Sequence, residues 1–500
     1  MWTKLRSAGL ALIALVAFGF SNAKAQPADA RLAANPFLSA EEILVLRSET
    51  QAAPRSYTYL ERVTQGEETT DLEITITAAN DWALVVRGEM RLLYDFALSR
   101  IFELPSQDSF VSTNLLHSAT FRVTEYQNRQ YLALGLAAAG GAVANLITLC
   151  DIQTELGVVL PSQSTRARTE VHGHGDTRTI RCDNETVGGF TLSDAEPPPA
   201  AFWPALADTA TMHPVQWEAL ADSGRAPQIA SASIGGVIER RIVYTLQQVT
   251  ETATPYPLAR GARNLTAETF EESGPGLSAL AMAAVAGQAA GGPPTPASVA
   301  AAYDAIVRER GEAIGAWEFG VIGNTLPLTL ESCQRGASYS FCAIFSNLAR
   351  LAQEDQGLRS AFQIIIGEQE GDFQSAMMGM QGALQSPLRD HPAVGASWAL
   401  AIRTASQEEA AEAAAAGLPT DAPALTRAGI AAYPYNPGYW LDYGDYFLMQ
   451  YDMRTAFYFF DVGFSLPVEG ATASTGATGF KQRVFARIRN DFPTFFTPRH

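Results

Sequence analysis

An α+β fold is predicted for this chain of 500 residues, with a sheet-containing front and a helical back. Three observations predict it. Between Phe37 and Glu251, short runs rich in β-branched and aromatic residues alternate with turn signals. From about Leu265 onward, apolar residues recur at three and four spacing and β-branched runs become scarce. The length exceeds what one hydrophobic core covers, so two or three domains are expected. An apolar content of 47% with 10% aromatics is that of a packed globular protein.

The chain opens with Lys4 and Arg6, an uncharged apolar run from Ala8 to Phe20, and Ala23-Lys24-Ala25. That order of charge, apolar run and small residues predicts a cleavable signal peptide over 1–25, a linker over 26–36, and a periplasmic or secreted product of bacterial type. The first cysteine is Cys150, so no thiol stands at the cleavage point to carry a lipid anchor. With Lys4, Arg6 and Lys24 removed, 32 basic residues face 52 acidic ones, a net charge of −20. Such a field repels phosphate backbones, and nucleic acid is excluded as a partner. Lys481 is then the sole lysine among arginines.

The mixed domain is placed at 37–253. Glu41 to Arg47 reads as a short helix; Tyr57 to Thr64, Asp71 to Thr77 and Trp82 to Arg87 read as strands. Arg91 to Leu104 reads as a hairpin turning at Asp95 to Ser99, so a twisted antiparallel sheet is expected. This succession, ending in Leu92-Leu93-Tyr94-Asp95, resembles over about 70 residues the half-barrel of LolA-type lipoprotein carriers. The resemblance implies an apolar ligand, lipid above all, held against the sheet; it transfers no functional residue.

Thr113 to Ala139 and Ala142 to Gly157 predict two helices broken at Gly140-Gly141. The stretch Leu132 to Leu149 carries no charge, but its alanines and glycine pair suit a buried helical hairpin better than a membrane span. Thr169 to Arg181, Val187 to Leu192 and Arg240 to Thr250 return to strand character. Cys150, Cys182, Cys333 and Cys342 form two local pairs, and in an oxidising compartment two disulfides are expected. Four cysteines permit three pairings, and the sequence does not choose among them.

His172-Gly173-His174-Gly175-Asp176 is the one run with metal-site character. Alternate strand residues face the same way, so His172, His174 and Asp176 could converge on zinc or iron. A related HxHxD run serves metallo-hydrolases of the β-lactamase type, but Thr177 stands where they place a further histidine, and the glycines suit a hairpin tip. His117, His213 and His391 are too scattered to complete a site. No GxSxG elbow, phosphate-cradling loop, HExxH or dinucleotide fingerprint is present. A non-enzymatic protein without a cofactor is the expectation.

The helical domain is placed at 265–467, with 468–500 as a tail and capping helix. Its most specific pattern is Trp440-x2-Tyr443-Gly444-x2-Phe447, then Ala456-x3-Phe460-x2-Gly463 and Pro467. Small residues sit where two helices would approach, and aromatic residues fill between them. The pattern resembles the tetratricopeptide repeat, a helix pair of about 34 residues. One period earlier Ala422, Gly429 and Pro434 fall near corresponding places, while Ser406 occupies the tryptophan position. A degenerate pair over 396–467 is therefore expected. The resemblance implies a surface that binds a protein or peptide partner in the cell envelope, and Tyr439, Tyr446 and Tyr458 are the candidate contacts. Phe480 to Asn490 reads as a basic amphipathic helix closing the stack, with Phe492, Phe495 and Phe496 against the same end.

Overall fold

Alternation of large apolar and hydroxyl side chains builds the sheet. A computed structural model describes residues 34–47, 53–138, 148–160, 168–235, 238–252, 256–323, 350–467 and 476–499. The chain divides into two compact units, one of Pro36–Thr266 with Phe485–His500, the other of Met1–Asn35 with Ala267–Val484. The predicted signal peptide and most of the linker, the second half of the uncharged stretch, and Cys333 with Cys342 lie outside the described residues. No described helix is long and apolar enough to cross a membrane.

The first unit carries twelve strands. They are β1 (Arg55–Gln65), β2 (Glu68–Ala78), β3 (Trp82–Arg87), β4 (Met90–Asp95), β5 (Arg100–Glu103), β6 (Ser109–Asn114), β7 (Thr169–His172), β8 (Thr177–Cys182), β9 (Glu185–Leu192), β10 (Pro227–Ile234), β11 (Arg240–Glu251) and β12 (Arg263–Asn264). They form one sheet in the order β12-β6-β5-β4-β3-β2-β1-β11-β10-β9-β8-β7, antiparallel except at β12–β6. β1 pairs with β11 and β2, so Tyr57 opposes Ile76 and Thr58 opposes Thr75. One face is apolar: Tyr57, Tyr59, Ile74, Ile76 and Val85 are buried. The other is hydroxyl-lined, with Ser56 Oγ 2.7 Å from Thr77 Oγ1 and Thr58 Oγ1 3.2 Å from Thr75 Oγ1. That division is the signature of an antiparallel sheet with one packed face.

The helices of this unit are α1 (Ala40–Leu46), α2 (Leu116–Ala138), α3 (Leu149–Leu156), α4 (Phe202–Thr209) and α5 (Pro214–Ser223). Ser39 and Glu42 close a capping box at the start of α1. Against the apolar face, Phe202 of α4 sits 4.8 Å from the Tyr57 ring, so this side of the sheet is a filled core. The β5–β6 end has a second cover. Ser112 N–H donates to Thr266 Oγ1 at 2.8 Å, and Asn264 Nδ2 donates to the carbonyls of Pro36 and Leu38.

Two elements without a clear sequence signal, β10 and α5, fit together through small residues. Gln216 of α5 donates to the carbonyls of Gly189 and Ser231 at 3.1 and 3.3 Å. A Cβ on Gly188 would lie 2.5 Å from Gln216 Oε1, so the helix reaches this sheet only because β9 carries no side chain there. The C-terminal segment also departs from expectation. The sequence places it at the end of the helical stack, but Phe495 is buried in the sheet-containing unit, with the Arg122 guanidinium 5.3 Å over its ring, and Arg499 N–H donates to Ala200 O at 3.2 Å.

The second unit is helical, with α6 (Thr266–Ser273) leading into it, then α7 (Ser278–Val285), α8 (Pro296–Arg310), α9 (Glu312–Gly323), α10 (Gln356–Glu370), α11 (Phe373–Leu384), α12 (Pro392–Thr404), α13 (Gln407–Ala415), α14 (Ala422–Ala432), α15 (Pro437–Met449) and α16 (Met453–Ser465). α17 (Gly476–Asp491) follows and runs across the division at Val484. α10 packs on α11, α12 on α14, and α15 on α16, giving three successive helix pairs.

Candidate binding surface on the helical hairpins

The turns of the first and third pairs are alike bond for bond. In α10–α11, Gly371 has φ +66°, Asp372 N–H donates to Gly367 O at 2.8 Å, and the Asp372 carboxylate caps α11 by accepting from Ser375 N–H at 3.0 Å. In α15–α16, Tyr451 has φ +66°, Asp452 N–H donates to Phe447 O at 3.0 Å, and Asp452 accepts from Thr455 N–H at 3.1 Å. A left-handed residue ends one helix and an acidic N-cap starts the next. Ala376 and Ala456 follow their caps by the same four residues. The middle pair has a longer link: α13 ends at left-handed Gly417, and Asp421 caps α14.

Close approach inside the third pair rests on Gly444. A Cβ there would lie 2.6 Å from Phe460 Cε1 and 2.9 Å from Ala456 O, which explains the small residues at 444 and 456 and the aromatic one at 460. Trp440 and Phe460 are both fully buried, and the Trp440 indole N–H donates to Pro434 O at 2.8 Å. Trp398 of α12 is also buried, and its indole N–H donates forward to Pro419 O at 2.7 Å, in the link before α14. Ser406, about 34 residues before Trp440, is the N-cap of α13 and accepts from Glu409 N–H at 3.2 Å.

The three tyrosines have different surroundings. Tyr458 is 1% exposed and its hydroxyl accepts from Arg454 Nε at 3.2 Å, which makes it a core side chain and removes it from the surface. Tyr439 is half-buried, 6.3 Å from the Tyr433 ring, and burial raises its phenol. Tyr446 is half-buried and stacks on Tyr443 with centroids 6.3 Å apart. Beyond it along α15 and its turn, Met449 and Tyr451 are 57% and 39% exposed.

A charged cluster missed in the sequence joins the first helices of the three pairs. Glu368 ends α10, Arg403 ends α12, and Asp442 and Asp445 lie on α15. Arg403 Nη1 donates to Asp442 O at 2.8 Å, and Lys481 pairs with Asp445 while lying 4.8 Å over the Phe460 ring. Burial pushes the Asp442 carboxyl up to about 7; Arg403 opposes this, while Asp445 and Glu368 add to it. Burial also raises Glu368. Only the isolated lysine of α17 hinted at this arrangement in the sequence.

The histidines take structural roles. His213 and His391 each precede a proline, and Nδ1 of each accepts the N–H of the second residue beyond, capping α5 and α12. His391 Nε2 is 2.9 Å from Glu318 Oε1, and the Tyr433 hydroxyl donates to Glu318 Oε2 at 2.6 Å. Burial opposes charge on Glu318, but His391, Tyr433 and Arg310 outweigh it and hold the carboxyl below its usual range. His213 is driven down to about 4 by burial.

His172 closes β7, and Gly173 to Asp176 form the tip leading to β8. His172 Nε2 faces Glu170 at 3.1 Å, and Asp176 pairs with Arg225 at 2.7 Å. Among the described residues no group of three or more His, Cys, Asp or Glu side chains, the His172, His174 and Asp176 set included, is gathered to hold a metal ion. Cys150 and Cys182 form a disulfide with Cα atoms 5.9 Å apart, tying α3 to β8.

No protein-family model matches the chain, and no curated protein is significantly similar to it. Among solved structures, one titled "Lipid-protein interactions in lipovitellin" aligns with 82% of this chain and 56% of its own, so the chain spans little more than half its length. At 9% identity and a TM-score of 0.17, that likeness carries no argument about fold or function.

Proposed function

We propose that this is an exported, non-catalytic binding protein whose tetratricopeptide-like helix pairs hold a protein or peptide partner in the cell envelope. The observation that supports this most is the turn repeated at Gly371–Ala376 and Tyr451–Ala456, with the same hydrogen bonds and the same acidic cap. Stacked hairpins of this kind bury their faces on one another and leave an extended surface for recognition. The contact region is assigned to Tyr446, Met449 and Tyr451, where aromatic and thioether side chains reach solvent beside the Asp442–Asp445 cluster. Export accounts for the Cys150–Cys182 disulfide, which an oxidising compartment preserves.

The alternative, a carrier of lipid or another apolar ligand between the sheet and its helices, has support only from the LolA resemblance. It is the weaker reading because Tyr57 and Phe202 already fill that space. Reciprocal capture separates the two. The full chain, purified from envelope fractions, should retain a protein that retains it in return, and Met449→Asp with Tyr446→Ala should release it. A chain that retains no protein but carries a lipid mass in native mass spectrometry reverses the choice.

A further inference from the structure

The sheet-containing unit holds a cleft of about 310 Å³ where β4 and the β5–β6 link face the segment from Tyr256 to Ala259. Buried Leu104 and Leu258, with Tyr256, supply the large apolar side chains of its lining, here termed the floor, and Arg91, Gln107 and Ser109 supply polar ones. The floor is preorganised. Tyr256 is fixed by its hydroxyl, which donates to the buried Asp95 at 2.6 Å, by Trp82 at 5.9 Å edge-on, and by the Arg47 guanidinium 5.5 Å over its ring. Asp95 is spoken for by Arg47 at 2.9 Å, and Arg47 also reaches Asp81 at 2.7 Å, so both carboxylates have this one guanidinium as their partner. Asp108, the nearest acid in the β5–β6 link, accepts from Ser106 at 2.6 Å.

Arg91 stands outside all of this. Among the described residues its guanidinium has neither a carboxylate partner nor a hydrogen-bond acceptor, in a protein where acids outnumber bases by 52 to 35. The Gln107 amide is likewise unpartnered among the described residues. A forked cation with a neutral donor beside it, above a fixed apolar floor, matches a carboxylate on a short hydrocarbon body. At about 30 Å³ for each water-sized group, the cleft accommodates roughly ten non-hydrogen atoms.

From this geometry we infer that the cleft is a binding site for a small amphipathic carboxylate, with Arg91 pairing the carboxylate and Leu104, Tyr256 and Leu258 receiving the hydrocarbon. The test is isothermal titration of the full chain with octanoate, alongside octylamine and inorganic phosphate as controls. Octanoate should bind saturably and octylamine should not. Arg91→Gln should weaken octanoate by about tenfold or more, the worth of a charged hydrogen-bonded pair. Arg91→Lys should fall between, keeping charge but losing the fork. Ala259→Trp, a substitution at an exposed position that fills the cleft, should abolish binding, with unchanged thermal unfolding showing that the variant folds. Octanoate binding that is absent, or unaltered by Arg91→Gln, overturns the inference. Phosphate bound as tightly as octanoate also overturns it, because the floor would then contribute nothing.

Discussion

Replacing Asp442 with Asn should stabilise the helical unit at neutral and alkaline pH and leave it unchanged in acid. The carboxyl rises from 3.8 to about 7 because burial disfavours its charge more than Arg403 restores it. Between those two values the folded state holds a proton that the unfolded chain has released, so stability falls as pH climbs through that window and levels off above it. At roughly 1.4 kcal/mol per pKa unit, the charged form costs at most about 4 kcal/mol, and water reaching a half-buried carboxylate brings the expectation nearer to about 2 kcal/mol. Asn has the same shape without the charge, so Asp442→Asn should raise the melting temperature at pH 8 by about 4–8 °C for a unit of this size and converge with the parent at pH 4. Urea denaturation followed by tryptophan fluorescence measures this, and hydrogen exchange over Pro437–Met449 localises it. A variant no more stable than the parent at pH 8, or equally destabilised at both pH values, refutes the reasoning.

Gly444→Ala should destabilise the same unit by about 1–3 kcal/mol, because its Cβ would press on Phe460 and the Ala456 carbonyl; equilibrium unfolding reads the loss. Tyr433→Phe removes the donor to Glu318 Oε2 and should cost about 1–3 kcal/mol, visible as a lower urea midpoint with an unchanged slope. Replacing Cys150 and Cys182 together with Ala opens a loop of 32 residues and should cost the sheet-containing unit about 3.5 kcal/mol in thermal unfolding, with no added sensitivity to reductant.

The sheet was legible where strands alternate strongly. Tyr57 to Thr64, Asp71 to Thr77, Trp82 to Arg87 and the hairpin turning at Asp95 to Ser99 all lie on observed strands and a turn, because β-branched and aromatic residues there face a filled core. β10 was not, because its Ala230, Ser231, Ala232 and Ser233 are small, and small residues carry little strand signal. The histidine caps are written in the two His-Pro pairs, His213-Pro214 and His391-Pro392, although the histidines themselves are far apart in the sequence. A proline at the first helical position with a side-chain acceptor before it was the available clue. Among the site residues, the packing of Trp440, Gly444 and Phe460 followed from spacing, whereas Tyr458 could not be assigned to core or surface until its helix had partners on both sides. The charged cluster needs three helices at once, and no local pattern encodes Glu368, Arg403 and Asp442 as neighbours.

The most direct test of the binding account places a photo-crosslinking amino acid at Tyr446 in the full chain, with an equivalent probe at Ile229 on the sheet, in the cells that make the protein. The account predicts a discrete crosslinked protein from position 446 that is absent from position 229 and that binds the purified chain on its own. Identical crosslinking from both positions, or none from 446, would contradict it.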